Sequence, residues 1–200
     1  MTIQKETRTF DSTIEVRPAD DDSGKKTLRG HAAVFDSLSE NLGGFREQIT
    51  PGAFDGVLED DVRALFNHDS NFVLGRTRAG TLNLSIDERG LAYEIDMPDT
   101  TTAKDLMESI KRGDISQSSF GFRVEDDDWS KDEDGRVIRT IKKVGSLLDV
   151  SPVTYPAYQA TDATMRSLEQ FSETQKQSTV DIKRKRLEIE TLDCAQPTEL

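Results

Sequence analysis

Apolar and polar residues take turns along short runs, again and again, between residues 7 and 158. That alternation narrows the fold of this chain more than any other property it has. A period of two sends every second side chain to one face of an extended backbone, so such runs become half-buried β-strands. Residues 81–86 and 91–97 alternate around Asp87, Glu88, Arg89 and Gly90, which signals a hairpin. Residues 7–16, 28–35 (LRGHAAVF), 45–49, 62–66 (VRALF), 115–124 (ISQSSFGFRV) and 137–153 read as further strands, the last interrupted near Gly145. The expected class is α+β and mainly β.

Two stretches of this body break the alternation. Residues 51–59 open on Pro-Gly and put Phe54, Val57 and Leu58 on one side, which predicts a short helix. Residues 102–105 (TAKD) match a capping box, in which the Thr hydroxyl accepts from an otherwise unpaired amide. Ala103, Leu106, Met107 and Ile110 then form one apolar stripe, and Gly113 stands where a C-cap needs left-handed backbone. Residues 20–24 (DDDSG) read as a turn, and 37–44 as a polar, mobile flap. Residues 125–135 hold seven acidic side chains in eleven positions and read as a solvated hairpin tip. Beyond Tyr158 the chain turns polar. Residues 160–200 have too little apolar surface for a core and read as a helix followed by a flexible tail. The basic run at 183–186 (KRKR) reads as part of that solvated tail, or else as a contact for nucleic acid or an acidic partner. The expected division is a domain at 1–159 and a polar tail at 160–200.

Charge and rare residues remove several function classes. With 26 Lys plus Arg against 38 Asp plus Glu, the net charge is −12. No broad basic face is left for displacing counterions from phosphate, so no specific nucleic acid is expected as a partner. No run approaches the ~18 apolar residues of a membrane span. The N-terminus lacks a basic-then-apolar leader, so neither secretion nor a membrane partner is expected. A single cysteine, Cys194, excludes an internal disulfide and a Cys-rich zinc site. His31 and His68 are the only histidines, which serves a metal hydrolase poorly. No cofactor or metal is implied. Any histidine-dependent mechanism uses one of those two.

A serine nucleophile needs a base, a group that orients the base, and donors for the oxyanion. Ser116, Ser118 and Ser119 open a strand. Ser116, Ser118, Phe120, Phe122 and Val124 share one face in a regular strand, and the apolar members send that face to the core. Ser119, Gly121 and Arg123 share the other face. Ser119 is therefore the serine that looks into a cleft, and Gly121 leaves space beside it for a substrate. A Ser-rich strand is also ordinary structure. His68 ends a strand in the polar turn 67–71 (NHDSN), where it is a base or a surface histidine. His31 lies inside a strand as a packed or edge residue. Asp69 adjoins His68, but neighbours in extended chain point apart. Asp149 sits among Leu147, Leu148 and Val150, where a bare charge is costly and needs a partner. It is an orienting carboxylate, or else a structural salt bridge or a cap before Pro152.

Six segments in this order resemble the prohead serine proteases of tailed phages. They are GHAAVF (30–35), REQITPGAF (46–54), LFNHD (65–69), the D-x-x-G-L hairpin (87–91), KRGDISQSSFGF (111–122) and LLDVSPVTYPAY (147–158). The resemblance implies a fold like that of herpesvirus assemblins, a small closed or nearly closed β-barrel ringed by helices. It implies a serine endopeptidase that trims major capsid protein or scaffold, and itself, inside the assembling prohead in the host cytoplasm. The family's histidine falls on His68 and its serine on Ser119. Its acidic residue falls on Asp149, where the commoner residue is Glu. Asp is one methylene shorter, so its strand must lie closer to the histidine. Dimerisation of assemblins makes self-association an open question here. The rival reading is a non-catalytic capsid assembly or scaffolding protein that kept the barrel.

Overall fold

A computed structural model describes residues 5–11, 14–18, 26–155 and 162–193. The chain divides into two compact units, Met1–Gln159 and Ala160–Leu200. The first holds strands β1 (Glu6–Asp11), β2 (Glu15–Pro18), β3 (Lys26–Val34), β4 (Phe45–Ile49) and β5 (Arg63–Phe66). It continues with β6 (Asp69–Arg76), β7 (Leu82–Ile86), β8 (Gly90–Asp96), helix α1 (Thr101–Arg112), β9 (Gln117–Lys131) and β10 (Val137–Val153). The second unit is described as one helix, α2 (Asp162–Asp193). The fold is α+β and mainly β.

The strands form two sheets. One runs β1-β9-β10-β5-β6, with β4 also paired to β10, and the other runs β2-β3-β8-β7. Pairs are antiparallel except that β10 meets β4 and β5 in parallel. The closed or nearly closed barrel expected from the resemblance is corrected on this point. Among the described residues no ladder joins one sheet to the other, so the strands do not close into a cylinder. Burial of one shared core holds them instead. Leu28, Leu91, Tyr93 and Ile95 of the second sheet meet Phe120, Phe122, Leu147 and Val150 of the first. The rings of Phe120 and Phe122 stack at 4.4 Å, and Phe54 meets Phe120 edge-on at 5.6 Å. A polar contact crosses this core. The Tyr93 hydroxyl lies 2.7 Å from Ser118 Oγ, and burial pushes the Tyr93 phenol well above its ordinary range. A side chain at Gly30 would stand 2.7 Å from that hydroxyl, so the glycine makes room for Tyr93.

Several sequence expectations hold. The hairpin of β7 and β8 forms as read. Ala103, Leu106, Met107 and Ile110 of α1 are all buried, and Gly113 caps the helix at φ 83°. The interruption near Gly145 is a register shift between Val144 and Ser146. Others are corrected. Residues 7–16 are two strands in different sheets, because alternation carries no mark of where a chain leaves one sheet for another. Residues 51–59 are consecutive turns, not a helix. Gly52 and Gly56 take φ 86° and 89°, and the bonds there, such as Ala53 N–H to the Thr50 carbonyl, span three residues instead of four. The cap of α1 is Thr100, whose hydroxyl accepts from Ala103 N–H at 3.2 Å, two residues before the predicted box. The acidic stretch is mostly strand. β9 runs on to Lys131, and the tip is the turn at 132–136, where Asp132 accepts from the amides of Asp134 and Arg136. Residues 37–44 are a loop in which Asn41 accepts from the amides of Gly43 and Gly44. The tail helix is 32 residues long and contains the basic run. The turn at 20–24, Cys194 and the end of the tail lie outside the described residues.

Candidate active site

Three distant segments converge on one face of the first sheet. In the ladder of β9 and β10, Ser119 pairs with Ser151 and Gly121 with Asp149, so these four residues share a face. Phe120 and Val150 pair on the opposite, core face. The sorting of the serines from strand period holds, with Ser118 bonded to Tyr93 inside the core and Ser119 on the other side. A register shift between Leu147 and Asp149 leaves Leu148 as the extra residue. It changes the phase of β10, so that Leu147 enters the core while Asp149, two residues on, faces Ser119.

His68 arrives from β5. That strand lies parallel to β10, with Arg63 beside Asp149, and ends in a two-residue hairpin loop. Asn67 and His68 take φ 54° and 57°, the left-handed pair of a primed hairpin turn. Asn67 ties the loop down, since its N–H donates to the Pro152 carbonyl and its Oδ1 accepts from Thr154 N–H at 2.8 Å. The imidazole is thereby turned back across β10. His68 Nε2 lies 2.7 Å from Ser119 Oγ, and His68 Nδ1 bonds Asp149 Oδ2. The three residues singled out in the sequence thus stand in one hydrogen-bonded row. Asp69 does point away, accepting from the Asn71 amide. His31 lies elsewhere, 2.8 Å from Asp87 in a groove that contains none of the three.

The surroundings hold features that the sequence did not signal. Ser119 has no exposed surface, and its hydroxyl also lies within donating distance of the Arg8 carbonyl, at 2.8 Å. The open cleft expected over Ser119 and Gly121 is therefore corrected. A Cβ at Gly121 would run into Asp149 Oδ1 and stand 2.5 Å from Lys5 Cε, so the space left by the glycine is taken up by the Asp149 carboxylate and the Lys5 side chain. Lys5 Nζ bonds Asp149 Oδ1, and Ser151 Oγ donates to Oδ2 at 3.2 Å. Burial pushes the Asp149 carboxyl up, but the hydrogen bonds and charges of His68 and Lys5 outweigh it and hold the group below its ordinary value.

On its opposite face β1 is clamped by buried charge. Arg8 bonds Glu47 Oε1 at 2.6 Å and Glu6 Oε2 at 2.6 Å, while Arg139 bonds Glu6 at 2.8 Å, Glu47 at 3.0 Å and Asp127 at 2.6 Å. Burial opposes the charge of Arg139, yet Glu6, Glu47 and Asp127 raise its pKa above the usual arginine value. Among the described residues no group of three or more His, Cys, Asp or Glu is arranged to hold a metal ion.

The row of hydroxyl, imidazole and carboxylate is a set that activates a serine for acyl transfer. Comparison of the sequence with known proteins gives its family. The family model described as caudovirus prohead serine protease matches residues 12–177. The prohead protease of Enterobacteria phage HK97 is 31% identical over 170 residues, which cover 82% of this chain and 69% of that protein. Among solved structures, the bacteriophage T4 capsid assembly protease, gp21, matches with a TM-score of 0.47 at 11% identity, covering 76% of this chain and 98% of that one.

Proposed function

This chain belongs to the caudovirus prohead serine protease family, a family of capsid maturation enzymes, and from that we propose that Ser119 is its nucleophile, His68 its base and Asp149 the carboxylate that orients the base. The observation that supports this reading is the 2.7 Å approach of His68 Nε2 to Ser119 Oγ, with Asp149 on the other ring nitrogen. Neutral His68 takes the hydroxyl proton as Oγ attacks a peptide carbonyl. The resulting imidazolium gives that proton to the leaving amine, and the acyl group stays on Ser119. A water then attacks the ester with His68 again as base, releasing the new carboxyl terminus. Asp149 keeps the proton on Nδ1 and stabilises the imidazolium. The Ser119 proton is available to His68 only when it is turned away from the Arg8 carbonyl. Peptide entry over Gly121 further requires the Lys5 side chain to move aside.

The substrates we propose are the major capsid protein, scaffold, and the enzyme itself, cut inside the assembling prohead within the host. We read residues 1–159 as the protease domain, since they contain all three site residues, and 160–200 as a polar tail. The family match reaches residue 177, so part of α2 belongs with the family pattern. The two sheets around one core stand, in this reading, for the assemblin-like scaffold without a continuous cylinder. A non-catalytic scaffolding role leaves the aligned Ser119, His68 and Asp149 without a purpose.

Co-expression with the capsid precursor of the same phage, followed by intact-mass measurement, tests the assignment. Ser119→Ala should lower cleavage by several orders of magnitude, about 10⁴-fold or more. Ser118→Ala should still cleave. Undiminished cleavage by Ser119→Ala overturns the reading.

A further inference from the structure

We propose that Ser151 is a positioning residue that locks the Asp149 carboxylate toward His68, a role that rests on the catalytic reading just given. Ser151 is the direct cross-strand partner of Ser119 and lies two residues from Asp149 on the same face. It has no exposed surface, and its hydroxyl donates to Asp149 Oδ2 at 3.2 Å. Oδ2 is the oxygen that His68 Nδ1 also bonds, while Oδ1 is held by Lys5. The terminal torsion of an Asp side chain is broad. With His68 as the sole partner of Oδ2, the carboxylate follows every movement of the ring. A second donor to the same oxygen, fixed in a β-ladder, removes that freedom and sets where the imidazole must stand. The short Asp makes this more pressing, because it reaches His68 only from a fixed place on β10.

The charged groups facing this carboxylate are Lys5, just before β1, and His68 from the β5–β6 turn, while Arg63, paired with Asp149 across the β5–β10 ladder, turns its guanidinium to Asp61. Lys5 is 40% exposed, so water competes for its charge. Ser151 is the neutral, fully buried donor of the set, and its bond does not depend on its own protonation. Neither strand period nor charge pattern marks it in the sequence.

The test compares wild type with Ser151→Ala, Ser151→Thr, Ser151→Cys and Ser119→Ala, using capsid precursor cleavage and the NMR resonance of the His68 Nδ1 proton. Ser151→Ala should lower kcat about tenfold with KM unchanged, as expected for a displaced base. The Nδ1 proton should move upfield, and the acid limb of the pH–rate profile should shift. Ser151→Thr keeps the hydroxyl and should recover most of the rate. Ser151→Cys keeps the shape with a weaker donor and should fall between, which also serves if the alanine variant does not fold. A Ser151→Ala enzyme with wild-type kcat, pH profile and resonance overturns the proposal, provided Ser119→Ala is inactive. Equal losses in Ala, Cys and Thr variants with an unmoved resonance overturn it as well, since only packing has then been disturbed. Normal cleavage by Ser119→Ala overturns the catalytic reading beneath it.

Discussion

Ser118 and Ser119 are adjacent in the chain and serve different ends. One hydroxyl bonds Tyr93 in the core, and the other meets His68 on the far side of the sheet. The half-turn between consecutive strand residues is the whole cause, and it was legible in the sequence because Phe120 and Phe122 fix which face is apolar. Lys5 was not legible, since no pattern links it to a residue 144 positions away. Its removal should be informative. Lys5→Ala uncovers Gly121 and Ser119, and a fluorophosphonate probe should label Ser119 several-fold faster than in wild type at neutral pH. The same variant should alter the response to acid. Asp149 is held below its ordinary value, so its contribution to stability is complete above about pH 4 and is lost as pH falls through the lower folded value. Without Lys5 one cause of that lowering is gone, so the contribution should be smaller and its loss complete at a higher pH. Urea midpoints between about pH 2 and 5 read the difference.

At the scale of elements, strands and the stripe of α1 follow from period, while ends and turns follow from single residues. Thr100 and Thr102 illustrate this. Both precede the apolar stripe, but the helix begins at Thr101 and the Thr100 hydroxyl accepts the Ala103 amide. Thr100→Ala should lower stability by about 1 kcal/mol, and Thr102→Ala by a few tenths at most, measured by urea unfolding. The sequence marks residues 67–71 only as a polar turn, whereas the turn is Asn67 and His68 alone and β6 begins at Asp69. Its Asn-His pair is left-handed at both positions, which Asn and His tolerate better than most residues. That backbone choice turns the His68 ring toward Ser119. The apolar side of residues 51–59 is real, with Phe54 and Val57 buried, but two left-handed glycines break the helical ladder there.

At the scale of the molecule, the site depends on charges buried behind it. Glu6, Arg8, Glu47 and Arg139 tie β1 to β4 and β10, and β1 pairs with β9, which places the Arg8 carbonyl on Ser119. Glu47→Ala leaves two buried arginines short of a partner. It should destabilise the protein by about 3–5 kcal/mol in urea unfolding. The sequence by itself determined which side chains of β9 face the core and which stripe of α1 is buried, because those properties depend on neighbours a few positions apart, whose geometry is set by helix and strand periods. His68, Ser119 and Asp149 were singled out together only through the resemblance to the family. The tertiary structure alone decided that a bulge at Leu148 turns Asp149 toward Ser119, that Asp149 and Lys5 fill the space over Gly121, and that two sheets share a core without closing. Each depends on which distant strands pair and in what register, and that is chosen by burial summed over the whole core.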